Sequence, residues 1–221
     1  MKRLATGVLL LVFVVPAAFA ARSSAPAPSS RAERSPQQVA EDELRQGAQQ
    51  LDRAAKLHAE LQAAPADKRE GLQKKLNKTL EGAARNFEKA TMNAPRMVQA
   101  YSELGFALRK LGRYEESLAA YDKALTIVPN YAPALEYRAE AYLGLNRVAE
   151  AKEAYLILFG GDRPRADLLF AAMQKWVAAR TADPAGVDPQ QVAELAKFVE
   201  ERAAIHAQTS VATASKDLRT W

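Results

Sequence analysis

Residues 98–130 read VQAYSELGFALRKLGRYEESLAAYDKALTIVPN, and this stretch decides the fold. Set against the rest of the chain at an offset of about 34 residues, Tyr121 meets Phe87 upstream and Tyr155 downstream. Ser117 meets Ala83 and Ala151, Gly105 meets Ala139, Ala124 meets Ala90, and Pro129 meets Pro95. Large side chains fall on large ones, small on small, proline on proline. A period of this length is that of a repeated helix–turn–helix unit, stacked on its neighbours.

Within the stretch, one helix is predicted over 97–111 and a second over 114–127. The first carries Tyr101, Leu104, Leu108 and Leu111 at steps of three or four, which is one apolar stripe. Gly105 lies beside that stripe and admits a closely packed partner helix. Gly112 stops the first helix, because glycine takes a left-handed cap at little cost. The second helix presents Tyr114, Ser117, Leu118, Tyr121, Ala124 and Leu125, and Pro129 prevents its continuation.

The set Tyr101, Leu104, Gly105, Leu108, Gly112, Tyr114, Ser117, Tyr121, Ala124 and Pro129 resembles one nearly complete tetratricopeptide repeat. The next unit, 132–163, matches through Leu135, Ala139, Tyr142, Asn146, Ala151 and Tyr155. It departs at Arg138, at Leu158 and at Gly160-Gly161, which reads as a turn. The preceding unit, 64–97, matches only in its second helix, through Ala83, Phe87, Ala90 and Pro95, so it is degenerate or lengthened. The resemblance spans residues 80–163. It implies an all-α fold: an antiparallel helix-hairpin solenoid with a lengthened N-terminal hairpin and C-terminal capping helices.

Residues 1–20, MKRLATGVLLLVFVVPAAFA, have a basic start, a short apolar run and a small-x-small end. This is the pattern of a secretory signal peptide, with cleavage expected after Ala20 and export to the periplasm. The alternative is an uncleaved membrane anchor. Residues 21–36 form an Ala/Pro/Ser linker that lacks the apolar surface to fold; it is either a tether or a remnant behind the leader. The helical domain is expected over 37–206. It opens with two long helices, 37–63 and about 66–93, although Gly71 and Gly82 argue against an unbroken second one. After the repeats, Asp162 reads as an N-cap with Pro164 in the first turn. Capping helices then carry Leu168, Leu169, Met173 and Trp176, and afterwards Val192, Leu195 and Phe198. Residues 207–221 are small and polar and read as a flexible tail.

The chain has 31 basic and 26 acidic residues, a formal charge of +5, and loss of Lys2 and Arg3 with the leader leaves +3. These charges alternate in sign instead of forming a basic stripe, so a nucleic-acid partner is not expected. With no cysteine, disulfides, zinc–thiolate sites and lipid attachment at a leader cysteine are all excluded. Only His58 and His206 are present, and no HExxH, GxSxG or phosphate-binding glycine loop occurs. Catalysis, metal binding and cofactors are therefore not expected. His58 shares a stripe with Leu51, Ala55 and Leu61 and reads as a half-buried packing residue.

What remains is an interaction scaffold whose partner is another protein, or a further copy of the chain if the repeats assemble end to end. The resemblance implies that the first helix of each unit lines a concave face. The ligand-facing positions would be Gln99, Ser102, Phe106 and Arg109 in the central unit, and Pro133, Glu136, Glu140 and Leu143 in the next. Phe106 and Leu143 are expected to be partly exposed beside Glu103, Glu136 and Glu140. That composition suits a peptide with an apolar anchor and basic neighbours. Reversing charge at Glu136 and Glu140 is then expected to weaken partner capture. Phe106 has a second reading, as packing against the adjacent repeat. The basic clamp that some family members use for an acidic chain terminus is missing: its positions hold Ser102, Phe106, Tyr137 and Glu136.

Overall fold

A computed structural model describes residues 34–217, with side chains described for 34–205. The leader, its cleavage position and residues 21–33 of the linker lie outside the described residues. The described residues form eight helices and no strand: α1 (Pro36–Ala63), α2 (Ala66–Asn93), α3 (Val98–Lys110), α4 (Tyr114–Ile127), α5 (Ala132–Gly144), α6 (Val148–Gly161), α7 (Arg163–Ala182) and α8 (Pro189–Asp217). They pack as antiparallel hairpins, each layer on the next, an all-α helix-hairpin solenoid.

The side chains matched at the repeat offset fill the spaces between helices. Phe87, Tyr121 and Tyr155 are all fully buried. Instead of one centre, the core is a series of clusters between layers. One joins Phe87 to Leu104 and Leu108, a second joins Tyr121 to Ala134 and Ala141, and a third joins Tyr155 to Leu158, Leu169, Met173 and Trp176. Gly105 makes this possible in α3, since a Cβ there would lie 2.5 Å from the Tyr121 ring.

The N-terminal hairpin is the lengthened one. Ser35 caps α1: its hydroxyl accepts from the Gln38 N–H at 3.2 Å while the Gln38 side chain accepts from the Ser35 N–H at 2.9 Å. Proline at 36 is the first helical residue, so the helix begins just before its apolar pattern indicates. Gly47 of α1 meets the Phe87 ring as Gly105 meets Tyr121, and a Cβ at Gly47 would overlap that ring. Gly47 and Phe87 are much further apart along the chain than Gly105 and Tyr121. The excess is about 24 residues, divided equally between the two helices, and at roughly 1.5 Å per residue it extends the hairpin by about 18 Å. Ala54, Leu76 and Leu80 bury this arm's own seam, with Leu57, Leu61 and Leu111 against it. Helix α2 is unbroken through Gly71 and Gly82, and at Gly82 the missing side chain admits Gln50 of α1.

The repeat turns are built alike. Gly112 (φ 76°) and Asn146 (φ 60°), one repeat length apart, are both left-handed. The Arg113 N–H donates to the Leu108 carbonyl at 3.0 Å and the Arg147 N–H to the Tyr142 carbonyl at 2.8 Å, which closes both helix ends. Gly160 and Gly161, by contrast, are not a turn. Helix α6 runs through both, and the chain breaks at Asp162, whose side chain accepts from the Arg165 N–H at 3.2 Å and starts α7.

Helix α7 continues the register. Leu169 and Met173 stand one repeat length after Leu135 and Ala139. Met173 is fully buried where the earlier units have Gly105 and Ala139, so the close helix approach made at those small residues is not repeated. The Trp176 indole N–H donates to the Leu143 carbonyl at 2.8 Å, which satisfies a carbonyl at the end of α5. Helix α8 packs on this layer through Leu195, Val192, Phe198 and Val199. Its backbone stays helical over 207–217, where composition suggests a tail; Ala207, Ala212 and Ala214 have the highest intrinsic preference for helix.

Candidate functional site

A cavity of about 680 Å³ lies where the arm passes the inner face of the array. Leu51, Ala54, Ala55, His58 and Leu61 of α1, with Leu76 and Leu80 of α2, form one wall. Glu103, Phe106 and Lys110 of α3 and Tyr137 of α5 form the other. A shallower depression of about 400 Å³ shares Leu61, Gln62 and Gln73 and continues the groove to Arg69 and Glu70 near the arm's tip. The lengthened hairpin thus supplies most of the lining.

The helical period places the α3 residues. Glu103, Phe106 and Lys110 are spaced by three and four and share one side of the helix. The rings of Phe106 and Tyr137 are 5.1 Å apart, and the Arg109 guanidinium sits 5.2 Å from the first and 5.6 Å from the second. Such contacts hold each ring in one orientation and contribute about 0.5–1 kcal/mol each where partly exposed.

Charge is distributed unevenly along this face. Arg109 is buried and bonded to Glu140; Arg165 of α7 is bonded to Glu136, which is only 3% exposed. These pairs tie α3 to α5 and α5 to α7. Burial pushes the Glu136 carboxyl up from its ordinary value despite the Arg165 hydrogen bond. Glu103, in contrast, has no hydrogen bond or ion pair among the described residues, and burial pushes its carboxyl up as well, only partly offset by Arg165. Lys110 has no ion pair among them either; burial lowers its ammonium pKa, and the charge of Arg109 adds to the effect.

The residues expected to face a ligand therefore divide. Phe106 lines the cavity, Gln99 is exposed on α3 outside it, and Pro133 and Glu140 are partly exposed. Ser102, Arg109, Glu136 and Leu143 are buried instead. Ser102 lies in the tight seam of α3 at 1% exposure, and Leu143 is covered by the layer that contains Trp176. Arg109 and Glu136 are consumed by ion pairs between helices, which a single helix's stripe does not reveal. His58 is exposed and lines the groove, so it is not a half-buried packing residue. The whole α1 wall escapes a reading by repeats, because the inserted turns of helix displace Gly47 from the repeat register. The one available signal is the small residue Gly47 in an otherwise larger-residue stripe.

Among the described residues, no group of three or more His, Asp or Glu side chains is placed to hold a metal ion. No helix among them is long and apolar enough to cross a membrane.

The family described as Tetratricopeptide repeat matches residues 98–131, which contain α3, its turn and α4. Among solved structures, the TPR2B domain of yeast Sti1, in a complex with an Hsp70 peptide, is 15% identical, with a TM-score of 0.41 over 74% of this chain and 98% of that one. A tetratricopeptide repeat protein from Parabacteroides merdae is 16% identical, with a TM-score of 0.41 over 76% of this chain and 68% of that one. No curated protein matches the sequence.

Proposed function

We propose that this protein is a non-catalytic scaffold of the bacterial cell envelope that holds a segment of another protein in the groove between its N-terminal arm and α3/α5. A helix-hairpin solenoid with a repeat of this family is suited to protein–protein contact, since stacked layers create an extended lining without a reactive centre. The observation that carries the reading is the arm itself. Its added length contributes a wall in which buried Ala54, Leu76 and Leu80 are edged by half-buried Leu51 and Leu61 and exposed Ala55 and His58, and that wall faces Phe106 and Tyr137 across the cavity. Cavities of several hundred Å³ with apolar walls and few polar groups are the usual form of a binding site.

Site-specific photo-crosslinking in intact cells tests this. A photoreactive phenylalanine at position 106 or 58 should give an adduct with a different protein, and the same probe at exposed Lys123 of α4 should not. Adducts from position 123 alone would overturn the groove as the binding face. Adducts only with the protein itself would favour a second reading, self-assembly, for which Leu156 and Ile157 of α6, each 47% exposed, and Leu168 of α7, 57% exposed, are the supporting observation.

Export rests on residues 1–20 alone. Protein recovered from the periplasm should begin at Ala21; a chain that retains Met1 and sediments with membranes would be the anchored form.

A further inference from the structure

The groove has a definite charge preference. Three formally charged side chains line the main cavity: Asp52 on its rim, Glu103 and Lys110. Glu136 and Glu140, the other carboxylates of this face, are already bonded to Arg165 and Arg109, so neither is available to a ligand without breaking an ion pair that ties two helices together. The cation acting on Glu103 is Arg165, and its guanidinium is committed to Glu136. Glu103 is thus a partly buried carboxylate, facing a cavity with an aromatic pair beside it and no partner of its own. A carboxylate in that state is a cost in the free protein, relieved by protonation or by an arriving cation.

Resting on the function proposed above, we infer that the groove recognises a protein segment carrying a lysine or arginine, whose cationic head pairs with Glu103 beside the rings of Phe106 and Tyr137, and whose neighbouring apolar side chain packs on Leu51 and Leu61 of the arm. The rings already carry Arg109, Lys110 and Arg165 within 5.7 Å, so the carboxylate of Glu103 and not a ring face receives the cation, and the long aliphatic stem of either residue suits the apolar approach to it. Lys110 sets the register. It lies two turns along α3, about 10 Å from Glu103 at roughly 1.5 Å per residue, and repels a second base at that end. An acidic chain terminus, by the same account, is refused at Glu103.

Panning a library of random twelve-residue peptides against the full-length protein provides the test. Retained peptides should share one lysine or arginine next to leucine, isoleucine or phenylalanine. One synthetic representative should lose roughly tenfold or more in affinity with Glu103→Gln, and similarly when its base is replaced by norleucine in binding to the unaltered protein. The second measurement needs no protein variant, so it stands even if the first disturbs folding. Retained peptides with no shared base, or with affinity unmoved by both changes, would overturn this inference and leave the groove as a peptide site. Failure to retain any peptide would overturn both.

Discussion

Phe87 rests on Gly47 as Tyr121 rests on Gly105, each ring occupying the space of an absent Cβ. The same contact is made across a long stretch of chain in one hairpin and a short one in the other, which identifies the N-terminal hairpin as a repeat unit with an arm added at its turn end.

Alanine at either glycine should therefore destabilise the fold. Its helix preference is better by about 1 kcal/mol, but a Cβ that overlaps ring carbons forces repacking that costs about 1–3 kcal/mol. Gly71→Ala is the control, because nothing lies within 4 Å of its Cβ position, and it should stabilise by up to about 1 kcal/mol. Urea denaturation followed by circular dichroism separates the two outcomes.

Deleting residues 52–75 returns the spacing of Gly47 and Phe87 to that of Gly105 and Tyr121. With Lys78→Gly added, to supply the left-handed residue that Gly112 supplies in the next unit, the variant should fold as a helical array and melt cooperatively. It should also lose the peptide binding expected of the groove. Retained binding would show that the arm is not a wall of the site.

Asn146 holds the left-handed turn position at φ 60°, and its side-chain oxygen is buried without a partner. Asn146→Gly should stabilise modestly, whereas Gly112→Ala should destabilise by about 1 kcal/mol or more. In a helical domain of this size that amounts to about 2–4 °C in Tm per kcal/mol, read by calorimetry.

Charge reversal at Glu136 and Glu140 is not a clean test of binding. Glu136→Lys puts an ammonium at a buried position beside Arg165, and Glu140→Lys leaves buried Arg109 without its partner; breaking a buried pair costs up to about 3–5 kcal/mol. A clear fall in Tm for both Glu136→Lys and Glu140→Lys is the expected result.

Glu103 carries a pH signature. Its carboxyl is raised above the ordinary value in the folded protein, so the folded state binds this proton more tightly than the unfolded chain. The stability it contributes is complete below the unfolded pKa and is lost as pH rises through the higher folded one. Glu103→Gln should therefore gain stability relative to the unaltered protein between pH 4 and pH 7. Matched denaturation curves at both values check this, and a constant difference would contradict it.

The repeat length, the ring-on-glycine contacts of the central unit, the helix stop at Gly112 and the N-cap at Asp162 are legible in the chain, because each depends on residues close together along it. Small and large side chains must alternate in step for two rods to close on each other, and that requirement is written at fixed spacing. The arm's place beside α3 and α5 is not legible, since inserted turns of helix preserve the apolar period while removing the repeat register. Nor is the fate of the carboxylates. Glu103, Glu136 and Glu140 look alike along the chain, and only the stacking of α3, α5 and α7 brings arginines to two of them. Long charged side chains find partners on neighbouring helices, so which acid stays free is a property of the layers and not of any one helix's pattern.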